Sequence, residues 1–166
     1  MIRRTTSLSR PASLLSLTAL LSIATLLAGC ESLGKMTQSR NMLSLLEGSW
    51  EVDSIAGYDL NSLRQQLPES LQFKMPSISI AQDGSISGFS GVNRFSGKTD
   101  PAELAKGNLD LSKLASTRMA GLPPLNALEN KYLAALATSK VATITTDGKL
   151  ALGDGKSTLL TFARAK

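Results

Sequence analysis

Apolar and polar residues alternate one for one in several short stretches, and turn residues punctuate them. The run Ser49 to Ile55 places Trp50 and Val52 on one face, the period-two signature of a half-buried strand. In SISIAQ-DG-SISGF, residues 77–89, isoleucines alternate with serines on both sides of Asp83-Gly84. Asp-Gly tolerates the positive φ of a type I′ turn, so this stretch reads as a hairpin. A second unit of the same kind, Val141 to Leu152, turns at Asp147-Gly148, and a third strand follows over Ser157 to Phe162. The two DG hairpins suggest a weak internal duplication. Asn108 to Ala115, apolar at 109 and 111, reads as another strand.

Helical spacing appears elsewhere. Leu125, Leu128, Tyr132 and Leu136 fall on one face of an amphipathic helix over Leu125 to Thr138. Leu60, Leu63 and Leu67 share a face ahead of Pro68, and Met42 to Leu46 is long enough for one turn. Asp100-Pro101-Ala102-Glu103 supplies an N-cap, a proline at the first helical position and an acid in the first turn, with Gly107 as the stop. The fold class expected from these elements is α+β: a small antiparallel, partly open β-barrel or curled sheet with one helix of the C-terminal half packed against it.

The first 29 residues belong to a different pattern. Arg3, Arg4 and Arg10 precede an apolar run from Leu14 to Leu27, followed by Leu27-Ala28-Gly29-Cys30. A basic region, a short apolar region and a small-residue cleavage site make a secretory leader. The run is about 14 residues, short of the ~20 that a spanning helix needs. Cys after Leu-Ala-Gly resembles the bacterial lipobox, which implies cleavage before Cys30 and lipid on its thiol and new amine. Two or more acyl chains hold a protein firmly to a membrane. Glu31, in place of an aspartate, resembles the sorting signal for the outer membrane. The expected organisation is a lipoprotein leader over 1–29, a lipidated Cys30 and tether over 30–45, and one domain over 46–166.

Removing 29 of the 166 residues leaves 137, the size of one ordinary domain. The leader holds three of the 18 basic residues and none of the 13 acids, so the remainder carries 15 against 13. That small surplus argues against a nucleic-acid partner. The chain has no histidine, which removes the commonest general base and metal ligand, and Cys30 is its only cysteine. No cofactor and no metal is expected, and no catalytic residue stands out. Ser32 to Lys35 matches S-x-x-K, but it lies in the tether with no supporting motif.

GVNRFSGKT, residues 91–99, ends like a phosphate-binding loop. Five residues separate Gly91 from Gly97 where that loop has four, and Val92 stands where it needs glycine. The helix that follows is too short to anchor a phosphate, and the flanking units are hairpins rather than a parallel βαβ unit. No nucleotide is expected. The longer stretch GFSGVNRFSG, residues 88–97, resembles the G-x-x-G-C-N-R-[FY]-x-G pattern of the META domain family, the HslJ-like group. Leu114 to Gly121, LASTRMAG, resembles that family's S-T-[RK]-M-A-C element. Gly48-Ser-Trp50 resembles its first strand, and Glu129 to Leu136 its helix motif. The resemblance covers about residues 46–163 and implies the same curled α+β fold.

Both cysteines of the family pattern are replaced, by Val92 and Gly121. The resemblance implies that the loop they would cross-link is held here by packing. Three residues are candidate contacts for a ligand or partner. Asn93 and Arg94 form a contacting pair, or else Asn93 holds a left-handed turn through its side chain and Arg94 is a solvated strand residue. Arg118 binds an anion, or else clamps loop carbonyls or a carboxylate internally. Three functions remain open: a non-enzymatic, membrane-tethered envelope lipoprotein that binds a protein partner, a carrier of an apolar ligand such as an acyl chain in the barrel interior, and a carboxylate-based hydrolase.

Overall fold

A computed structural model describes residues 42–71 and 73–166. The leader, Cys30 and nearly all of the tether lie outside the described residues. Among those described, no helix is long and apolar enough to cross a membrane.

Residues 42–46 form a helical turn, α1. The elements that follow are β1 (Gly48–Ile55), α2 (Leu60–Gln66), β2 (Ser77–Ile80), β3 (Ser85–Phe89), β4 (Arg94–Lys98), α3 (Pro101–Leu104), β5 (Ala115–Ser116), α4 (Pro123–Thr138), β6 (Val141–Ile144), β7 (Leu150–Gly153) and β8 (Thr158–Arg164). The class is α+β. All eight strands join one antiparallel sheet in the order β5-β4-β3-β2-β1-β8-β7-β6. The first strand is therefore central, with the β2–β5 series on one side and the C-terminal meander on the other.

The sheet does not close into a barrel. Its edge strands β5 and β6 are joined in sequence by α4 and form no ladder with each other. Closure would bring the edges to about 4.8 Å, but a helix about 10 Å across packs on the inner face. That helix buries the four residues its spacing predicts, Leu125, Leu128, Tyr132 and Leu136, against β1, β7 and β8. Tyr132 sits at the centre, its ring centroid 6.0 Å from Phe95 and 6.3 Å from Phe162. Its hydroxyl donates to the Ser77 carbonyl at 3.2 Å, which satisfies the one polar atom that this aromatic brings inside.

Three local expectations change. Both Asp-Gly pairs close hairpins, but through three-residue loops rather than type I′ turns. Ala81 N–H donates to Ser85 O and Gly84 N–H to Ala81 O, and Thr145, Lys149 and Gly148 repeat the pattern. The glycines take positive φ, 80° and 78°, in the geometry of a type I turn completed by a left-handed residue. The strand expected over Asn108 to Ala115 is broken. Asp110 Oδ1 accepts from the amide and hydroxyl of Ser112, a local turn that competes with the ladder. What remains is a bridge from Asn108 to Val141 and the two residues of β5. In β1 the register shifts between Val52 and Ser54. The bulge turns Ile55 inward behind Trp50 and Val52.

The two ends of the domain are latched together. Arg164 at the end of β8 lies 4.5 Å from the centroid of the Trp50 ring. Its guanidinium donates to the carbonyls of Leu45 and Glu47, each at 3.1 Å. Trp50 Nε1–H donates to Leu46 O at 2.9 Å. Three carbonyls at the C-terminal end of α1, which the helix itself leaves unpaired, thereby gain donors.

Candidate functional site

The loop between β3 and β4, residues 90–93, turns sharply over α4. Gly91 has φ 110°, and a Cβ there would lie 3.1 Å from Leu128 Cδ2, so glycine is needed both for its conformation and for the close approach. The turn aims its donors at one carboxylate. Glu129 Oε2 accepts from the Ser90 hydroxyl at 2.7 Å, the Asn93 amide at 2.8 Å and the Val92 amide at 3.2 Å. Its Oε1 accepts from Asn93 Nδ2 at 2.8 Å. Successive backbone N–H groups in such a turn form an anion-binding concavity. Here the anion is the chain's own glutamate.

Asn93 is buried and its side chain is fully used. Nδ2 also donates to the Met119 carbonyl at 3.1 Å, while Oδ1 accepts from the Met119 amide at 2.7 Å and the Thr117 hydroxyl at 2.9 Å. One residue thus ties three segments together: its own loop, the segment after β5, and α4. The Asn93 side chain does bond to backbone, but to that of Met119, 26 residues along the chain, rather than to its own turn.

Burial of Glu129 pushes its carboxyl pKa up, but the hydrogen bonds from Ser90, Asn93 and Val92 outweigh that and hold it below the ordinary 4.5. A general base working near neutral pH needs the opposite shift. The turn acids have local partners as well: Asp83 with Ser85, and Asp154 with the amides of Lys156 and Ser157.

The segment held by Asn93 faces solvent. Arg118 is exposed and makes no hydrogen bond or ion pair among the described residues, so the internal clamp expected of it is absent there. Met119 is 62% exposed and Leu122 43%. Leu122 precedes two prolines at the start of α4 and offers no side-chain cap. Asn126 compensates, accepting from Gly121 N–H and donating to Gly121 O, both at 3.0 Å. Arg94 is also exposed, at the start of β4, while its backbone pairs with Thr117. The side chains of Arg94 and Arg118 therefore flank Asn93 without joining its network among the described residues, whereas the Arg94 amide reaches it through Thr117.

Val92 and Gly121, the positions where the family pattern has cysteines, touch. A Cβ placed on Gly121 would lie 2.6 Å from Val92 Cγ2 and 3.0 Å from Cγ1. The valine fills the space that a second side chain would need, so packing and the Asn93 network together hold the loop.

A META domain family model matches residues 29–166, and the chain belongs to that family. Among solved structures, one described as the NMR structure of the protein from Burkholderia xenovorans is 25% identical, covering 76% of this chain and 88% of its own, with a TM-score of 0.48. No curated protein matches the chain.

Proposed function

We propose that this META domain protein is a non-enzymatic lipoprotein, anchored to the outer membrane through lipid on Cys30 and facing the periplasm. There it binds a protein partner in envelope assembly or stress tolerance, through the segment 117–122. The observation that carries this reading is the Asn93–Glu129 network. It commits the polar groups of the signature loop to one another and fixes a neighbouring segment that presents Arg118, Met119 and Leu122 to solvent. An exposed cation beside exposed apolar side chains, held by a rigid support, is what a protein contact uses. The carrier reading has less support, because Tyr132, Phe95, Phe162 and Trp50 are all buried on the inner face where a ligand would sit. Conversion of Glu129 to an acid–base catalyst would require giving up the hydrogen bonds that hold the loop.

The test is site-specific photo-crosslinking in intact cells. A photoreactive residue in place of Met119 should give a discrete adduct that disappears when Arg118→Glu is added. The same probe in place of exposed Thr146 should give none. Equal adducts from both positions, or none from Met119, would contradict the reading. Mass spectrometry of the mature protein tests the anchor: three acyl chains' worth of added mass on an N-terminal Cys30 is expected, and an intact leader contradicts it.

A further inference from the structure

The solvent face of the β1–β4 half of the sheet carries a groove of about 640 Å³. Two cross-strand rows form its floor. In the first, the ladder aligns Ser49, Ser79, Ser87 and Ser96 on four adjacent strands. In the second it aligns Glu51, Ser77, Phe89 and Arg94. Neighbouring strands lie about 4.8 Å apart, so the serine row presents hydroxyls at regular steps over roughly 14 Å. Only Ser49 and Ser79 bond to each other, at 2.8 Å; among the described residues the hydroxyls of Ser77, Ser87 and Ser96 have no partner. Lys74 joins Arg94 on the groove wall, against the single acid Glu51.

We propose that this groove binds an extended, carboxylate-bearing oligosaccharide. Hydroxyls that both donate and accept suit a ligand made of hydroxyls, and their spacing is comparable to the repeat of an extended sugar chain. Phe89, half-buried beside Ser87, offers a ring to an apolar sugar face. Arg94 and Lys74 supply cations, and Arg in particular presents a planar fork to a carboxylate. A protein partner fits this face poorly, because protein hot spots use several large anchors in pockets, and of the two phenylalanines that line the groove Phe95 is buried and Phe89 alone is partly open. Nucleic acid fits poorly too: it needs many phosphate contacts and several stacking rings. This site adjoins the partner surface at 117–122, with which it shares Thr117, but its serine row and its cations do not depend on that surface.

The experiment is an amide-resolved NMR titration of the full chain in micelles of a polyoxyethylene ether, a detergent without a sugar head. The probes are a uronic acid tetrasaccharide, a tetrasaccharide whose acid is the lactyl ether of muramic acid, and neutral cellotetraose. Saturable shifts at Ser79, Ser87, Phe89, Arg94 and Ser96 with at least one acidic probe, and weaker binding of the neutral one, are expected. Which acidic probe binds more tightly identifies the source of the carboxylate. Arg94→Gln, a change at an exposed side chain, should weaken the acidic probe about tenfold, the loss of one charge-assisted hydrogen bond, and leave the neutral probe unchanged. Ser87→Val, which suits a strand, should weaken both. The proposal is overturned if the groove amides do not shift with either acid, if the neutral probe binds as well as the acidic ones, or if the shifts fall on residues 118–122.

Discussion

Asn93 and Glu129, 36 residues apart, hold each other through two hydrogen bonds of 2.8 Å, one from the asparagine amide nitrogen of the main chain and one from its side chain. Glu129 must be ionised to accept all four of its donors, and Asn93 must be an amide to donate to it while accepting from Met119. Each residue type is therefore fixed by the other. The arrangement links α4 to two loops that the fold would otherwise leave joined only by short ladders.

Glu129→Gln should destabilise the domain by about 1–3 kcal/mol, because an amide nitrogen then faces buried donors. Urea unfolding followed by Trp50 fluorescence measures it. The pKa of Glu129 is depressed in the fold, so its contribution is complete above the ordinary 4.5 and is lost as pH falls through the lowered folded value. The gap between wild type and variant should accordingly be full at pH 7 and close at low pH. A gap that stays constant across this range contradicts the linkage.

Asn93→Asp is nearly isosteric and should be more harmful than its size suggests. It replaces the donor to Glu129 Oε1 by an oxygen and sets two carboxylates face to face, so one must bind a proton. The variant should gain stability as pH falls from 7 to 5, which is opposite to the trend at Glu129 in the wild type. Unfolding midpoints at the two pH values check the sign.

Gly121→Ala should cost about 1–3 kcal/mol, chiefly through the overlap with Val92, and the larger part of that cost should disappear in a Val92→Ala background, leaving the closer approach to Asn126 Oδ1. Replacing both residues by cysteine should allow a disulfide closing a loop of about 30 residues, worth about 2–4 kcal/mol. Melting with and without reductant measures the gain. Failure of the two thiols to pair would contradict the contact between these positions.

Arg164→Gln should lower stability by about 1–2 kcal/mol, since it removes two hydrogen bonds to α1 carbonyls and the cation over Trp50. Arg164→Lys should not restore it, because one ammonium cannot reproduce the planar fork. The emission of Trp50, the chain's one tryptophan, reports the change locally.

Much of this architecture is legible in the sequence, because it depends on local periodicity. The stripe Leu125, Leu128, Tyr132, Leu136 gives α4 its buried face, and the alternation of Ile78 and Ile80 with serines gives β2 its two faces. Hairpin positions follow from Asp83-Gly84 and Asp147-Gly148, although the loops are one residue longer than the dipeptide suggests. Asp110 shows why alternation alone misleads: Leu109 and Leu111 are both buried, yet a side-chain turn between them breaks the strand. The clasp was legible only at one end. GVNRFSGKT carries the outline of an anion-binding loop, and an anion does sit in it, but it is a carboxylate from a helix far along the chain. In the sequence Glu129 is one of 13 acids, and its place in a family helix motif is the sole signal that sets it apart. Pairing across 36 residues is set by tertiary packing, which periodicity does not encode.

The most direct measurement of the central claim is a carboxyl-carbon NMR titration of Glu129 in the full chain, read together with the amide of Met119. Glu129 should titrate below 4.5, and the Met119 amide should move with it, because Asn93 connects the two. A carboxyl that titrates at or above 4.5, with the Met119 amide unmoved, would show that the loop, the helix and the exposed segment are not held as one unit.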